Sequence, residues 1–342
     1  MRSTKAKKLI LHLGAHKTGT SSIQNHLTAN RTWLLKRGFY YPQLRNCGDS
    51  HNQFAHKLAL AQGAELQTLY REIRSASEQA DTLILSAEEF SVRIEGNRGW
   101  EGFQSADYWQ LRKQYLLKLK ELVRDFDTVD LYLSYRNHEE YAAALYATNV
   151  LSDRFRWSFE DFITQCSPIF DYRQQLEMIR SIFDNVNVIS FGQLKSNLVP
   201  SFYQWVSIPF PPNSGLHTKQ TPDSRLILWL NQSKIEGVDS REQERRTNFC
   251  FSQEAQNLFT DQNKTFWASA DVQKFFVKQC TSPEALFWFP QELDEKELVI
   301  LNDVPHGLPI EQAYLSWKSR LWLRYCSPVF ILKRIARRLK GM

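Results

Sequence analysis

The sequence predicts an α/β fold of three layers, P-loop-like, with a central parallel sheet, helices on both faces and a helical C-terminal extension. Two observations predict it. Short apolar, β-rich runs recur at 9–13, 82–86, 129–134 and 186–190, and helix-like segments lie between them at roughly 52–79, 105–126, 138–151 and 171–184. Strands that alternate with helices imply right-handed parallel crossovers and a sheet covered on both sides. The second observation is position. Lys17, Glu88 and Arg136 each follow one of the first three runs, at the strand ends where parallel sheets gather their ligands.

The first run, Leu9-Ile10-Leu11-His12-Leu13, has the length of one buried strand. Gly14 to Gly19 then forms a tight loop, and a helix follows with Ile23, Leu27 and Leu34 on one face. Thr18, Thr20, Ser21 and Ser22 supply hydroxyls and helix caps. A small-residue loop between a strand and a helix start is an anion site. Unpaired amides and the positive end of the helix dipole point at whatever binds there. Lys17 adds a full charge, so the ligand this stretch suits is a phosphate ester.

Later elements are read the same way. A loop at 96–102 carries Gly96, Asn97 and Gly99, and the proline-rich break at 209–215 is the strongest boundary. The expected organisation is an α/β core over 1–210, a helical C-terminal part of the same domain over 211–316, and a basic amphipathic tail over 317–342.

Composition narrows the function classes. A chain that is 42% hydrophobic and 23% charged is globular and can bury a sizeable core. Nothing approaches the apolar run of about eighteen residues that a membrane span needs. The net charge is +6, but 317–342 holds eight Lys or Arg and no acid, so removing that +8 leaves the body at −2. The basic character belongs to the tail, and no nucleic-acid partner is expected. Cys47, Cys166, Cys250, Cys280 and Cys326 are odd in number and widely spaced, which reads as reduced thiols in a cytoplasmic protein with no metal site. In the tail, Phe330, Ile331, Ile335 and Leu339 form an apolar stripe with basic residues mostly outside it. Such a helix either packs on the body or makes peripheral contact with the inner face of a membrane, and both readings stay open.

The order Lys17-Thr18-Gly19-Thr20-Ser21-Ser22 departs from the common nucleotide loop, in which lysine follows the second glycine. It resembles the 5′-phosphosulfate loop of the sulfotransferases, above all bacterial members reading H-x-G-x-x-K-T-G-T-[ST]-S-x-Q. His12, Gly14, Lys17, Thr18, Gly19, Thr20, Ser21, Ser22 and Gln24 all fit that pattern. The resemblance runs in outline over 9–270, but only the loop is specific.

The resemblance implies a donor, 3′-phosphoadenosine-5′-phosphosulfate, and a carbohydrate or lipid-linked glycan acceptor. It implies that Gly14, Lys17, Thr18, Gly19, Thr20, Ser21 and Ser22 hold the 5′-phosphate end, with Lys17 also catalytic. Arg136 matches the arginine that grips the 3′-phosphate, a task that suits a planar guanidinium fork. The competing reading of Arg136 is a helix-entry arginine in a salt bridge. Two positions depart from the family: His138 stands where proline is usual, and Ala144 where a serine helps bind the 3′-phosphate. Ser134 or Tyr146 would be the substitute donor.

Sulfonate transfer to an alcohol needs a base beside the acceptor. Glu88, in Ser86-Ala87-Glu88-Glu89-Phe90, is one candidate, with Glu89 expected to raise its proton affinity slightly if both are buried. His51 is the other, since histidine titrates near neutrality. Both also have capping readings at helix starts. The function expected is therefore a sulfotransferase acting on a glycan or glycolipid hydroxyl. A P-loop kinase-like phosphotransferase, or an inactive nucleotide- or glycan-binding relative, is the alternative.

Overall fold

The computed structural model describes residues 7–96, 107–152, 157–212, 222–259, 266–267, 270–281, 310 and 312–318. The tail over 319–342, all of the loop at 96–102 but Gly96, and the stretch from 213 to 221 lie outside the described residues. By contact the chain divides into two compact units. One comprises Met1–Ala142, Ile163–Lys219 and Lys274–Phe289, and the other Ala143–Phe162, Gln220–Gln273 and Pro290–Met342, each as far as the described residues run.

The first unit holds the sheet. Its elements run β1 Lys8–His12, α1 Thr20–Ala29, α2 Arg31–Leu35, β2 Phe39–Tyr40, α3 Asn52–Leu60, α4 Gly63–Ser77, β3 Thr82–Ser86, a 3-10 turn at Glu88–Ser91, α5 Tyr108–Leu122 and β4 Thr128–Tyr135. Then come α6 His138–Leu151 and α7 Phe159–Gln165, each divided between the two units, followed in the first unit by α8 Tyr172–Arg180, β5 Asn185–Ser190, α9 Phe191–Leu194 and α10 Leu198–Trp205. All strand pairs are parallel, in the order β2-β3-β1-β4-β5. The chain passes from β3 across β1 to β4, so the loops leaving these strands diverge and open a crevice at their carboxyl ends.

Period-two alternation explains the layers. Leu9, Leu11, Leu83, Leu85, Leu131 and Leu133 face one way and pack under α3, α4, α5 and α8, against Phe54, Ile73, Leu119 and Ile179 among others. Ile10, Ile84 and Tyr132 face the other way, onto Ile23 and Leu27 of α1, Leu34 of α2, Phe202 of α10 and Val206 just after it. Fully burying one such aliphatic side chain stabilises the fold by about 1.5–3 kcal/mol. A central strand apolar on both faces, like β1, has little choice but the middle of a sheet.

The predicted three-layer α/β class therefore holds, with helices on both faces of a parallel sheet. Two details differ. The helix expected over 52–79 is two helices, because Ala61 turns extended and Gly63 takes a positive φ of 47°. The short edge strand β2 pairs Phe39 and Tyr40 with Thr82 and Leu83 and was not expected.

The second unit is helical in its described part. It contains α11 Ser224–Ile235, α12 Ser240–Cys250 and α13 Gln253–Gln256, with Asp223, Asp239 and Ser252 as side-chain N-caps. α14, Ala270–Thr281, runs from this unit into the first. Trp229, Phe249 and Tyr314 pack together, with the Arg246 guanidinium over the Trp229 ring. The four described cysteines are buried free thiols. Among the described residues no helix is long and apolar enough to cross a membrane.

Candidate functional site

The crevice is built from the ends of β1, β3 and β4. His12, Ser86 and Tyr132 lie in one register line. Beyond it the loop after β1 stays zipped between its neighbours: Leu13 N–H donates to the Tyr132 carbonyl, Ala15 N–H to Ser134, and Ala87 N–H to His12. Gly14 follows because nothing larger fits. A Cβ there would fall 2.7 Å from His12 Nε2 and 2.7 Å from the Thr20 methyl.

The loop then reverses into α1 through two left-handed residues, Lys17 (φ 65°) and Gly19 (φ 76°). A non-glycine residue in that conformation costs about 1 kcal/mol or more. Such strain gathers at functional sites, and here it falls on the lysine that the sequence singles out. Thr18 locks the turn. Its hydroxyl donates to the Ala15 carbonyl at 2.6 Å and accepts from Ser134 Oγ at 2.9 Å. In the first turn of α1 the Ser22 N–H donates to the Gly19 carbonyl at 3.0 Å, and this end of the helix carries positive potential.

Two further charges reach the loop. Arg136, directly after β4, donates from Nη1 to the Lys17 carbonyl at 3.2 Å and from Nε to Glu140 at 3.0 Å. The salt-bridge reading and the loop reading of Arg136 are thus both visible in one side chain. Glu88 opens the turn after β3 and accepts the Thr20 hydroxyl on Oε2. Asn52 Nδ2 donates to its Oε1 at 3.4 Å, and His16 Nδ1 lies 3.5 Å from the same oxygen. Burial works against the ionised form of Glu88, but His16, the Thr20 hydroxyl and the Lys17 charge outweigh it and hold its pKa down at about 2. Whatever slight rise a neighbouring Glu89 brings, the His16, Thr20 and Lys17 groups around Glu88 decide its charge.

His51 is placed differently from its expected role. It is fully buried, its Nδ1 accepts the Ser86 N–H at 3.0 Å, and its Nε2 donates to the Pro42 carbonyl at 2.9 Å. Burial lowers its pKa to about 4, only partly offset by the Pro42 contact. Both ring nitrogens serve the backbone, so His51 brackets the end of β3 and keeps neither nitrogen for an incoming hydroxyl. The substitute donors for Ala144 are likewise engaged. Ser134 is buried on Thr18, and the Tyr146 hydroxyl donates to the Trp157 carbonyl while accepting from Asn231. His138, at the family's proline position, donates to the Phe170 carbonyl at 3.0 Å and stacks on Tyr172.

The site therefore brings together Gly14, Lys17, Thr18, Gly19, Thr20, Ser21, Ser22, Glu88 and Arg136, and leaves His51 behind the wall. Sequence reasoning missed His16, Asn52 and the Glu89–Arg93 pair, in which Arg93 Nε meets Glu89 Oε2 at 2.6 Å. The signal for His16 was its place beside Lys17; the others needed the third dimension.

No protein-family model matches this chain, and no curated protein does. Among solved structures, a sulfotransferase from Alicyclobacillus acidocaldarius is similar, at 17% identity and a TM-score of 0.36, over 70% of this chain and 98% of that one. So distant a likeness bears on neither site nor activity.

Proposed function

We propose that this chain transfers a sulfonate group from 3′-phosphoadenosine-5′-phosphosulfate to a hydroxyl of a glycan or glycolipid. The observation that carries the reading is the Lys17 loop. A lysine two residues before Gly19, held left-handed at the start of α1, has Arg136 on its own carbonyl and a carboxylate at the next strand end.

The residues divide the work. Lys17 would neutralise the charge that grows on the phosphate oxygen as its bond to sulfur breaks, where a preorganised cation counts most. The loop and helix start from Thr18 to Ser22 would hold the 5′-phosphate, with the Thr18 hydroxyl spent on holding the loop's shape and the Ser22 N–H on the Gly19 carbonyl. Arg136 would reach the 3′-phosphate. Glu88, ionised and partly open to solvent, would take the proton of the acceptor hydroxyl. A magnesium-dependent phosphotransferase has less support, because it would want an aspartate at a strand end. Here those positions are Ser86, bonded to His12, and Ser134, bonded to Thr18. Cytoplasmic residence and tail-mediated membrane contact belong to the same proposal, and liposome sedimentation at low and high salt tests the latter.

The test is an acceptor screen with sulfur-labelled donor, run beside Lys17→Ala. Label should pass to a glycan or glycolipid, and the variant should lose roughly 10²–10³ in turnover. A label that never leaves the donor across glycan and glycolipid acceptors would overturn the reading.

A further inference from the structure

The cluster behind Glu88 is larger than a base needs. His16 lies between two carboxylates, with Nδ1 3.5 Å from Glu88 Oε1 and Nε2 3.8 Å from Glu89 Oε1. Glu89 is buried and anchored in turn by Arg93 Nε at 2.6 Å, with His56 Nε2 at 3.5 Å. The Glu88 carboxylate is partly open, the His16 ring nearly closed and Glu89 closed, so the three form a line running inward from the crevice.

We propose that His16 is a positioning residue and proton store acting through Glu88: with Nε2–H turned to Glu89, its Nδ1 lone pair receives the proton that Glu88 takes from the acceptor. The proposal rests on the sulfotransferase reading. The balance is simple. The acceptor O–H bond breaks, and its proton passes to a Glu88 oxygen and on to His16 Nδ1. The acceptor oxygen bonds to sulfur as the bond between sulfur and the 5′-phosphate oxygen breaks. The departing bisphosphate keeps that electron pair, and the ring ends as an imidazolium between two carboxylates. A contraction of about half an ångström brings Nδ1 and Oε1 to the hydrogen-bond distance at which such transfers run. Glu89 plays the part of the acid that fixes tautomer and orientation behind a catalytic imidazole.

The electrostatics agree. Burial opposes a charge on His16, and Arg93 adds to that opposition, but Glu89 and Glu88 together raise its pKa above the ordinary histidine value. Lys17, on the same loop, bears on Glu88. Around the carboxylates stand His56 of α3, His12 of β1 and Tyr141 of α6. An imidazolium set between the Glu88 and Glu89 carboxylates is paired on both sides, which makes His16 the better final home for the proton.

Two readouts on the full chain test this. In a histidine NMR titration, His16 should ionise above the ordinary range and shift down in both Glu88→Gln and Glu89→Gln. In wild-type sulfonate transfer, kcat/KM should rise with pH through the His16 ionisation. That acid limb should move down with His16 in Glu89→Gln, and His16→Gln should lose roughly 10²-fold in turnover and the limb with it. A His16 indifferent to Glu88→Gln would overturn the assignment whatever the activity. So would an acid limb that stays put while the His16 titration moves. A chain that transfers no sulfonate to any acceptor would overturn the functional reading itself, and this assignment with it.

Discussion

At Gly19 a side chain is excluded twice. The residue holds φ at 76°, and a Cβ there would lie 2.2 Å from Leu198 Cδ2 of α10. Gly19→Ala should therefore pay the left-handed penalty of about 1–2 kcal/mol and force Leu198 aside. Thermal denaturation should show a lower Tm, and an unchanged Tm would mean that the loop is not held as described. His51 gives a second residue-scale test. It is neutral when folded, with a pKa of about 4 against about 6.5 in a free chain. Below the free value the unfolded chain binds a proton that the folded one refuses, so this contribution is lost as pH falls from about 6.5 to about 4. His51→Gln keeps one acceptor for Ser86 and one donor for Pro42 but does not titrate. The loss of unfolding free energy between pH 7 and pH 4.5, measured in urea, should shrink by about 2 kcal/mol in that variant. An equal loss in both proteins would show that His51 is not the buried neutral bracket. The sequence could name His51 as a histidine near the site, but not that both of its nitrogens meet backbone groups, because those partners are nine and thirty-five residues away.

The 3-10 turn Glu88–Ser91 carries the proposed base, and it is held from behind. Arg112 of α5 is fully buried and donates from Nη1 to the Arg93 carbonyl and from Nη2 to the Phe90 carbonyl, both at 2.7 Å. Arg112→Met would fill much of the space but leave both carbonyls without a donor, at a cost of about 2–4 kcal/mol. We expect a lower urea midpoint and a fall in turnover, with affinity for 3′-phosphoadenosine-5′-phosphate near wild type, since the Lys17 loop is untouched. Unaltered stability would remove Arg112 as the anchor. Elements of this kind are poorly legible in sequence. Thr82–Ser86 is found to the residue because a strand buried on both faces is an unbroken apolar run. The split between α3 and α4 hangs on one glycine with positive φ, and β2 on two residues that pair at an edge. Neither leaves a periodic trace.

Over the whole molecule, the sheet order carries the argument. β1 lies between β3 and β4, so Lys17, Glu88 and Arg136, separated by up to 119 residues, meet at one edge of one sheet. Their convergence was legible because each follows an apolar run, and parallel sheets align such ends. Their partners were not, because His16, Asn52 and Glu89 acquire meaning only from distances across elements. The central claim is that this edge binds a 3′,5′-bisphosphorylated adenosine through Lys17 and Arg136. The direct measurement is isothermal titration of the full chain with 3′-phosphoadenosine-5′-phosphate and, separately, with magnesium-ATP. Saturable binding of the bisphosphate, weakened at least about tenfold in Arg136→Ala as a charged contact is lost, is the expected result. No heat with the bisphosphate and saturable binding of magnesium-ATP would contradict it and favour a phosphotransferase.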